Sequence, residues 1–197
     1  MLSGALSFSP DGRFAVVSRL GDPPPHAGIF KASTTNPNDE AQLTGTPPRR
    51  GTYDWSPDWS PDGRRIAFWR ESRRQPPRLM VLTLETNTLR ELVVGERPDW
   101  SPDGRLLAFA RTDGIYVCRT DGSAARRVVA IREPGHVDFS PDGRRVAFEL
   151  AERCGSRRLM GAQRSRLRAV QPVASTGDSQ TASPSQGRQH EPLSLHR

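Results

Sequence analysis

Trp100-Ser101-Pro102-Asp103-Gly104-Arg105-Leu106-Leu107-Ala108-Phe109 recurs, with small changes, three more times in this chain of 197 residues. The other copies open as Phe8-Ser9-Pro10-Asp11-Gly12-Arg13, Trp59-Ser60-Pro61-Asp62-Gly63-Arg64 and Phe139-Ser140-Pro141-Asp142-Gly143-Arg144. Their serines stand at 9, 60, 101 and 140, so the spacings are 51, 41 and 39 residues. A period of about 40–45 residues is that of a propeller blade, one sheet of four short strands.

The centre of the unit is turn chemistry. Proline presets φ for the second position of a type I turn, aspartate suits the third, and glycine takes the left-handed position of a bulge. A side chain at that glycine would cost about 1–2 kcal/mol. Each signature therefore predicts a three-residue hairpin, with a short strand before it and a longer one after it. Pro10, Asp11, Gly12, Pro61, Asp62, Gly63, Pro102, Asp103, Gly104, Pro141, Asp142 and Gly143 are all assigned to this structural role.

The strand after each turn alternates large and small apolar residues: Ile66-Ala67-Phe68, Leu107-Ala108-Phe109 and Val146-Ala147-Phe148. A strand with one wet face would place a polar residue at the middle position, so a sheet covered on both sides is expected. Third and fourth strands follow at 78–84 and 89–94, at 114–118 and 126–130, and more loosely at 28–31 and 41–44. The fold class is thus all-β: a β-propeller of four-stranded antiparallel blades, with about three and a half blades present and the ring incomplete. The units start near residues 5, 53, 97 and 136, and the repeat region spans 1–150.

The fourth unit loses its pattern after Leu150. Arg157-Arg158-Leu159-Met160 echoes Arg78-Leu79-Met80, but Ser, Thr, Gln, Pro, Gly and Arg dominate beyond Val170. Such a composition cannot offset about 1–2 kcal/mol per residue of ordering entropy, so 151–197 is expected to be an Arg-rich, disordered tail. The expectation is a fragment or truncated product of a longer propeller with an out-of-frame tail, testable by reading the other two frames past Leu150 for further repeats.

Charge follows the same division. The net charge is +7, with 21 basic against 19 acidic residues in 1–150 and 8 against 3 in 151–197. Only Lys31 is lysine, and the even spread of arginine reads as coding bias. Six arginines between Arg153 and Arg168 would attract polyanions at low salt, but no aromatics interleave to stack bases, so no dedicated nucleic-acid site is expected. No run reaches the ~18 apolar residues of a membrane span. The start as written has no basic n-region, which argues by default for the cytoplasm. Cys118 and Cys154 match no metal or redox spacing and are expected to be free thiols.

The unit Trp/Phe-Ser-Pro-Asp-Gly-Arg-x-x-Ala-Phe, with Ile115-Tyr116-Val117 and Asp121-Gly122 downstream, resembles the WD-repeat-like propeller repeat of TolB-type proteins over residues 5–150. The resemblance implies a periplasmic, non-catalytic module acting through protein–protein contacts. The same repeat is similar to the propeller domains of prolyl-oligopeptidase-type serine peptidases, which gives the alternative: a propeller lacking its catalytic domain. The export signal, the N-terminal α/β domain and the remaining blades of a TolB-like protein are not visible in the chain as given.

Asp58, Asp99 and Asp138 each precede a signature aromatic, with Ser7 in that place in the first unit. On innermost strands they could ring a channel and take a cation or a basic ligand. The favoured reading is that each bonds backbone amides where a strand starts. No Gly-x-Ser-x-Gly elbow, paired Cys/His zinc spacing or Gly-rich phosphate loop is present, and His26, His136, His190 and His196 are scattered. Neither catalysis nor a cofactor is expected; a protein or peptide partner is. An open ring also leaves two apolar blade faces, built in part by Phe14, Val17 and Phe148, through which the chain would self-associate.

Overall fold

A computed structural model of the chain describes residues 2–19, 27–36, 38–45, 51–151 and 165–172. Every regular element among them is a strand. Blade 1 comprises β1 (Leu2–Phe8), β2 (Phe14–Arg19), β3 (Gly28–Ser33) and β4 (Glu40–Gln42). Blade 2 comprises β5 (Thr52–Trp59), β6 (Arg65–Ser72), β7 (Gln75–Thr83) and β8 (Thr88–Val94). Blade 3 comprises β9 (Glu96–Trp100), β10 (Leu106–Arg111), β11 (Gly114–Arg119) and β12 (Arg126–Ala130). Blade 4 contains β13 (Pro134–Phe139), β14 (Arg145–Ala151) and β15 (Ser165–Pro172). Each sheet is an antiparallel meander in chain order, the fold is all-β with propeller blades, and the four sheets do not close into a ring.

The signatures turn as expected in backbone and differently in length. The turn glycines sit at φ 68, 71, 67 and 68°, and each donates its N–H to the carbonyl of the signature serine. The bridging pair is Ser9 with Phe14, so the loop holds four residues where three were expected. The serine side chain supplies the difference. Ser9 Oγ accepts the Phe14 N–H (2.9 Å) and bonds Asp11 Oδ1 (2.6 Å), which in turn accepts the Arg13 N–H (3.0 Å). The same three bonds recur at Ser60, Ser101 and Ser140. The strand before the turn is the shorter one in blades 3 and 4 (five residues against six, six against seven), equal in blade 2 and the longer one in blade 1, where β1 has seven residues and β2 six.

Parity along the second strand decides which neighbour each side chain meets. Ile66 and Phe68 pack with Val16 and Ile29 of blade 1, whereas Ala67 packs with Leu107 and Phe109 of blade 3. Ala108 in turn meets Val146 and Phe148 of blade 4. Both faces of a central blade are therefore buried, the large residues toward the preceding blade and the alanine toward the following one. The same parity corrects two expectations. Phe14 packs inside the blade 1–blade 2 core, and Phe148 is buried against blade 3, so neither lies on an open face. Only Val17 does.

The third strand of blade 4, β15, comes from within the stretch expected to be disordered, pairing Ala169 with Ala147 and Leu167 with Glu149. The remainder of that expectation, and the echo at 157–160, lies outside the described residues. Of the two cysteines Cys118 is free and buried, with burial pushing its thiol up to about 12; Cys154 lies outside the described residues.

The signature aromatics share one slot but not one bond. Trp100 Nε1 donates to the Asp58 carbonyl of the preceding blade (3.2 Å), whereas Trp59 Nε1 is buried without a partner. Phenylalanine already occupies the slot as Phe8 and Phe139. Trp100→Phe is therefore expected to cost about 1–3 kcal/mol more than Trp59→Phe, because only the first loses a satisfied buried donor. Urea midpoints of the two variants give the difference.

Candidate functional site

Two groups of polar side chains arise from this arrangement, one between the innermost strands and one at the loop end of blade 2. The first holds the three aspartates. The inner strands of blades 2 and 3 are irregular just before the aspartate; Ser56 (φ 46°) and Arg97 (φ 54°), each two residues before it, adopt the left-handed backbone there. From β5 into the turn after it the tetrapeptide Trp-Ser-Pro-Asp occurs twice in succession, at 55–58 and 59–62. Only the second is followed by glycine and turns; the first stays in the strand and aims Asp58 sideways.

Its target is the next blade. Asp58 Oδ2 accepts the Trp100 N–H (2.9 Å), and Asp99 Oδ2 accepts the Phe139 N–H (2.6 Å). Ser7 fills the same role one blade earlier: its Oγ accepts the Trp59 N–H (3.0 Å) and donates to Asp58 Oδ1 (2.9 Å). The aspartates thus bond backbone amides, across blades 40 and 42 residues apart rather than at their own strand start. Asp138 is exposed and accepts no hydrogen bond among the described residues.

The chemistry of this row is that of buried carboxyls clamped to backbone amides. Burial, then the charge of Asp58 and that of Asp138, pushes Asp99 up to about 8 against the opposing Phe139 N–H. Burial likewise raises Asp58, opposed by the Trp100 N–H and the Ser7 hydroxyl. Asp99 is then mostly protonated at neutral pH. Among the described residues no three His, Cys, Asp or Glu side chains are placed to hold a metal ion, and the hydrogen bonds of Asp58 and Asp99 run from one blade to the next. The turn aspartates behave oppositely. The signature serine hydroxyl and the N–H two residues on hold Asp11, Asp103 and Asp142 below the ordinary range.

The second group lies at the end of blade 2 opposite the Ser-Pro-Asp-Gly turns. A groove of about 620 Å³ is lined there by Arg70, Arg73, Arg74, Arg78, Gln75 and Glu91, among others. Asp54, only 1% exposed, holds Arg70 in a two-point pair (Nε–Oδ1 2.7 Å, Nη2–Oδ2 2.9 Å) and accepts the Thr44 hydroxyl (2.8 Å). Arg78 reaches Glu91 at 3.5 Å, leaving its buried Nε without a partner. On the other face of the same blade end, Tyr53, Trp55 and Trp69 form a half-buried aromatic row with ring centroids 6.2 and 6.4 Å apart. These residues were not singled out in the sequence. The available signal was position: Arg19, Arg70 and Arg111 each stand seven residues after a turn glycine, and Tyr53 and Trp55 precede the signature only in the second unit.

Comparison with known proteins supports the architecture. The chain is similar to the putative TolB of Agrobacterium tumefaciens at 25% identity, over 74% of this chain and 53% of that one, with a TM-score of 0.59. TolB from Acinetobacter baumannii aligns at 15% identity over 86% and 42% of the two chains, TM-score 0.62. An oligogalacturonate lyase in complex with manganese aligns at 16% identity over 70% and 42%, TM-score 0.54. The chain spans about half the length of these proteins or less. No protein-family model and no curated protein matches it. The shared property is the propeller, built here of blades resembling those of TolB-type proteins.

Proposed function

We propose that the chain is a non-catalytic interaction module that binds a protein or peptide on the loop end of blade 2. One observation carries the reading. That end gathers Tyr53, Trp55 and Trp69 on one side and Arg70, Arg73, Arg74 and Arg78 on the other. Tyrosine, tryptophan and arginine are the residues enriched where binding energy concentrates in protein interfaces. The likeness to TolB proteins agrees with such a role and does not by itself assign it. With Arg70 held by Asp54, the groove still sets Arg73, Arg74 and Arg78 against Glu91, and so favours acidic side chains or a C-terminal carboxylate.

A displayed library of random peptides tests the reading. Selection on the whole chain is expected to enrich acidic peptides whose binding, measured by fluorescence anisotropy, falls at least tenfold in Arg73→Glu/Arg74→Glu with the fold unchanged by circular dichroism. Selected peptides that bind this variant as well as the parent would place the site elsewhere. An α/β-hydrolase segment in the same reading frame would instead make the module the propeller of a peptidase.

A further inference from the structure

The four blades share one set of contacts, and comparing them position by position shows what the open ends are built to meet. The aromatic of each signature and the residue two before it face the preceding blade. In blades 2 and 3 these pairs are buried: Trp59 is 7% exposed and Trp100 4%, and Pro57 and Pro98 are buried. In blade 4 Val137 is 3% exposed. In blade 1 the equivalents are, among the described residues, the most exposed large apolar ones, Leu6 at 53% and Phe8 at 58%. Val17, opposite Leu6 in the ladder, shares their face.

The polar part of the contact is missing at the same place. The N–H of Trp59, Trp100 and Phe139 is each taken by a Ser or Asp of the preceding blade, whereas the Phe8 N–H has no partner among the described residues. A Cβ on Gly63, Gly104 or Gly143 would meet the signature proline of the preceding blade at 3.7, 3.8 and 3.5 Å. One on Gly12 would meet nothing within 4 Å.

Blade 4 carries the matching halves. Asp138 offers the unoccupied acceptor that Asp58 and Asp99 use on their following blades. Pro141 stands where Pro10, Pro61 and Pro102 cover the next glycine. Arg145 stands at the position of Arg65, whose guanidinium lies 4.6 Å over the Trp100 ring of the following blade. Ala147, paired with Asp138, occupies the place of Ala67 and Ala108, the small residues against which the next blade packs. Among the residues of β13 and β14 on this face, His136, Arg145 and Glu149 are polar.

We infer that the leading face of blade 1 docks on the trailing face of blade 4 of a second copy of this chain, head to tail. Four contacts already made inside the chain would repeat across the junction: Asp138 to the Phe8 N–H, Pro141 over Gly12, Arg145 over the Phe8 ring, and Ala147 under Leu6 and Phe8. The contact is heterologous, so each copy presents one donor face and one acceptor face. Two copies bring the blade count to the upper end of the four to eight of closed propellers.

Light scattering coupled to size-exclusion chromatography at tens of micromolar tests this on the whole chain. The parent is expected to run above 21.8 kDa, at twice that mass when closed by two copies. Phe8→Arg blocks one face; Ala147→Arg, or Asp138→Lys at an exposed position, blocks the other. Each variant alone is expected to be monomeric, with an unchanged circular dichroism spectrum. Mixing Phe8→Arg with Asp138→Lys restores one good junction and is expected to give a one-to-one pair. A monomeric parent overturns the inference. So does association that survives both Ala147→Arg and Asp138→Lys, since aromatic face on aromatic face would be lost only in Phe8→Arg. Failure of the mixed variants to pair overturns it as well.

Discussion

Asp54→Ala is expected to lower stability by about 3–5 kcal/mol, the cost of leaving one member of a buried ion pair alone. The Asp54 carboxylate is 1% exposed and Arg70 19%, so little water is at hand to replace the lost charge. The Arg70 guanidinium would lose both of its hydrogen bonds, and its position over the Phe68 ring at 5.8 Å does not compensate them. Damage would also reach blade 1. Thr44 donates to Asp54 (2.8 Å) while accepting the Ile29 N–H (2.9 Å), so the carboxylate anchors the chain as it leaves the first blade for the second. Urea denaturation of parent and variant gives the difference directly. Asp54→Leu/Arg70→Met is the informative partner: an apolar pair of similar volume is expected to recover most of the loss, because the penalty belongs to the orphaned charge. A loss below 1 kcal/mol in the single variant would mean that water reaches the pair. The same variant frees Arg70 toward the groove, so a peptide that binds there would bind differently even where the fold survives.

The contrast between this pair and the signature turns shows which features of the molecule are local. Pro, Asp and Gly act within five residues, and their conformations follow from the residue types; all four turn glycines are left-handed as expected. Alternation of Phe with Ala along the second strand likewise announces a sheet covered on both sides. What could not be read is what lies opposite. The serine hydroxyl lengthens the hairpin by one residue because it substitutes for a backbone acceptor, and serine carries that option without advertising it. Asp58 and Asp99 find amides 42 and 40 residues away, set by how one sheet is stacked on the next. Phe14 and Val17 differ only in parity from the turn, and that parity sends one into the core and leaves the other at the open end. Phe8 and Trp59 look equivalent in sequence; only the presence of a preceding blade makes one exposed and the other buried. Asp54 and Arg70 resemble any surface pair until the blades are assembled.

Asp99 is expected to make the protein less stable as pH rises through neutrality. Its carboxyl is held at about 8 in the fold against an ordinary value of 3.8, so the folded chain binds this proton more tightly than the unfolded one. Stability from this group is therefore full below 3.8 and declines across the window up to about 8, with a slope of at most about 1.4 kcal/mol per pH unit. The turn aspartates act in the other direction. Asp103 is held low by the Ser101 hydroxyl, so its contribution is present above 3.8 and lost as pH falls through its lowered value. The two effects together place the stability optimum on the acid side of neutrality. Asp99→Asn keeps a neutral acceptor for the Phe139 N–H and removes the larger titration, so its urea midpoint is expected to fall less than the parent's from pH 5 to 9 and to exceed the parent's at pH 9. Asp138→Asn removes a neighbouring charge that helps raise Asp99, and is expected to end the decline at a lower pH and make it smaller. A parent midpoint that does not fall between pH 5 and 9 would show Asp99 ionised throughout, and the row of inter-blade aspartates would then be a set of charge-assisted amide clamps at every pH in that range.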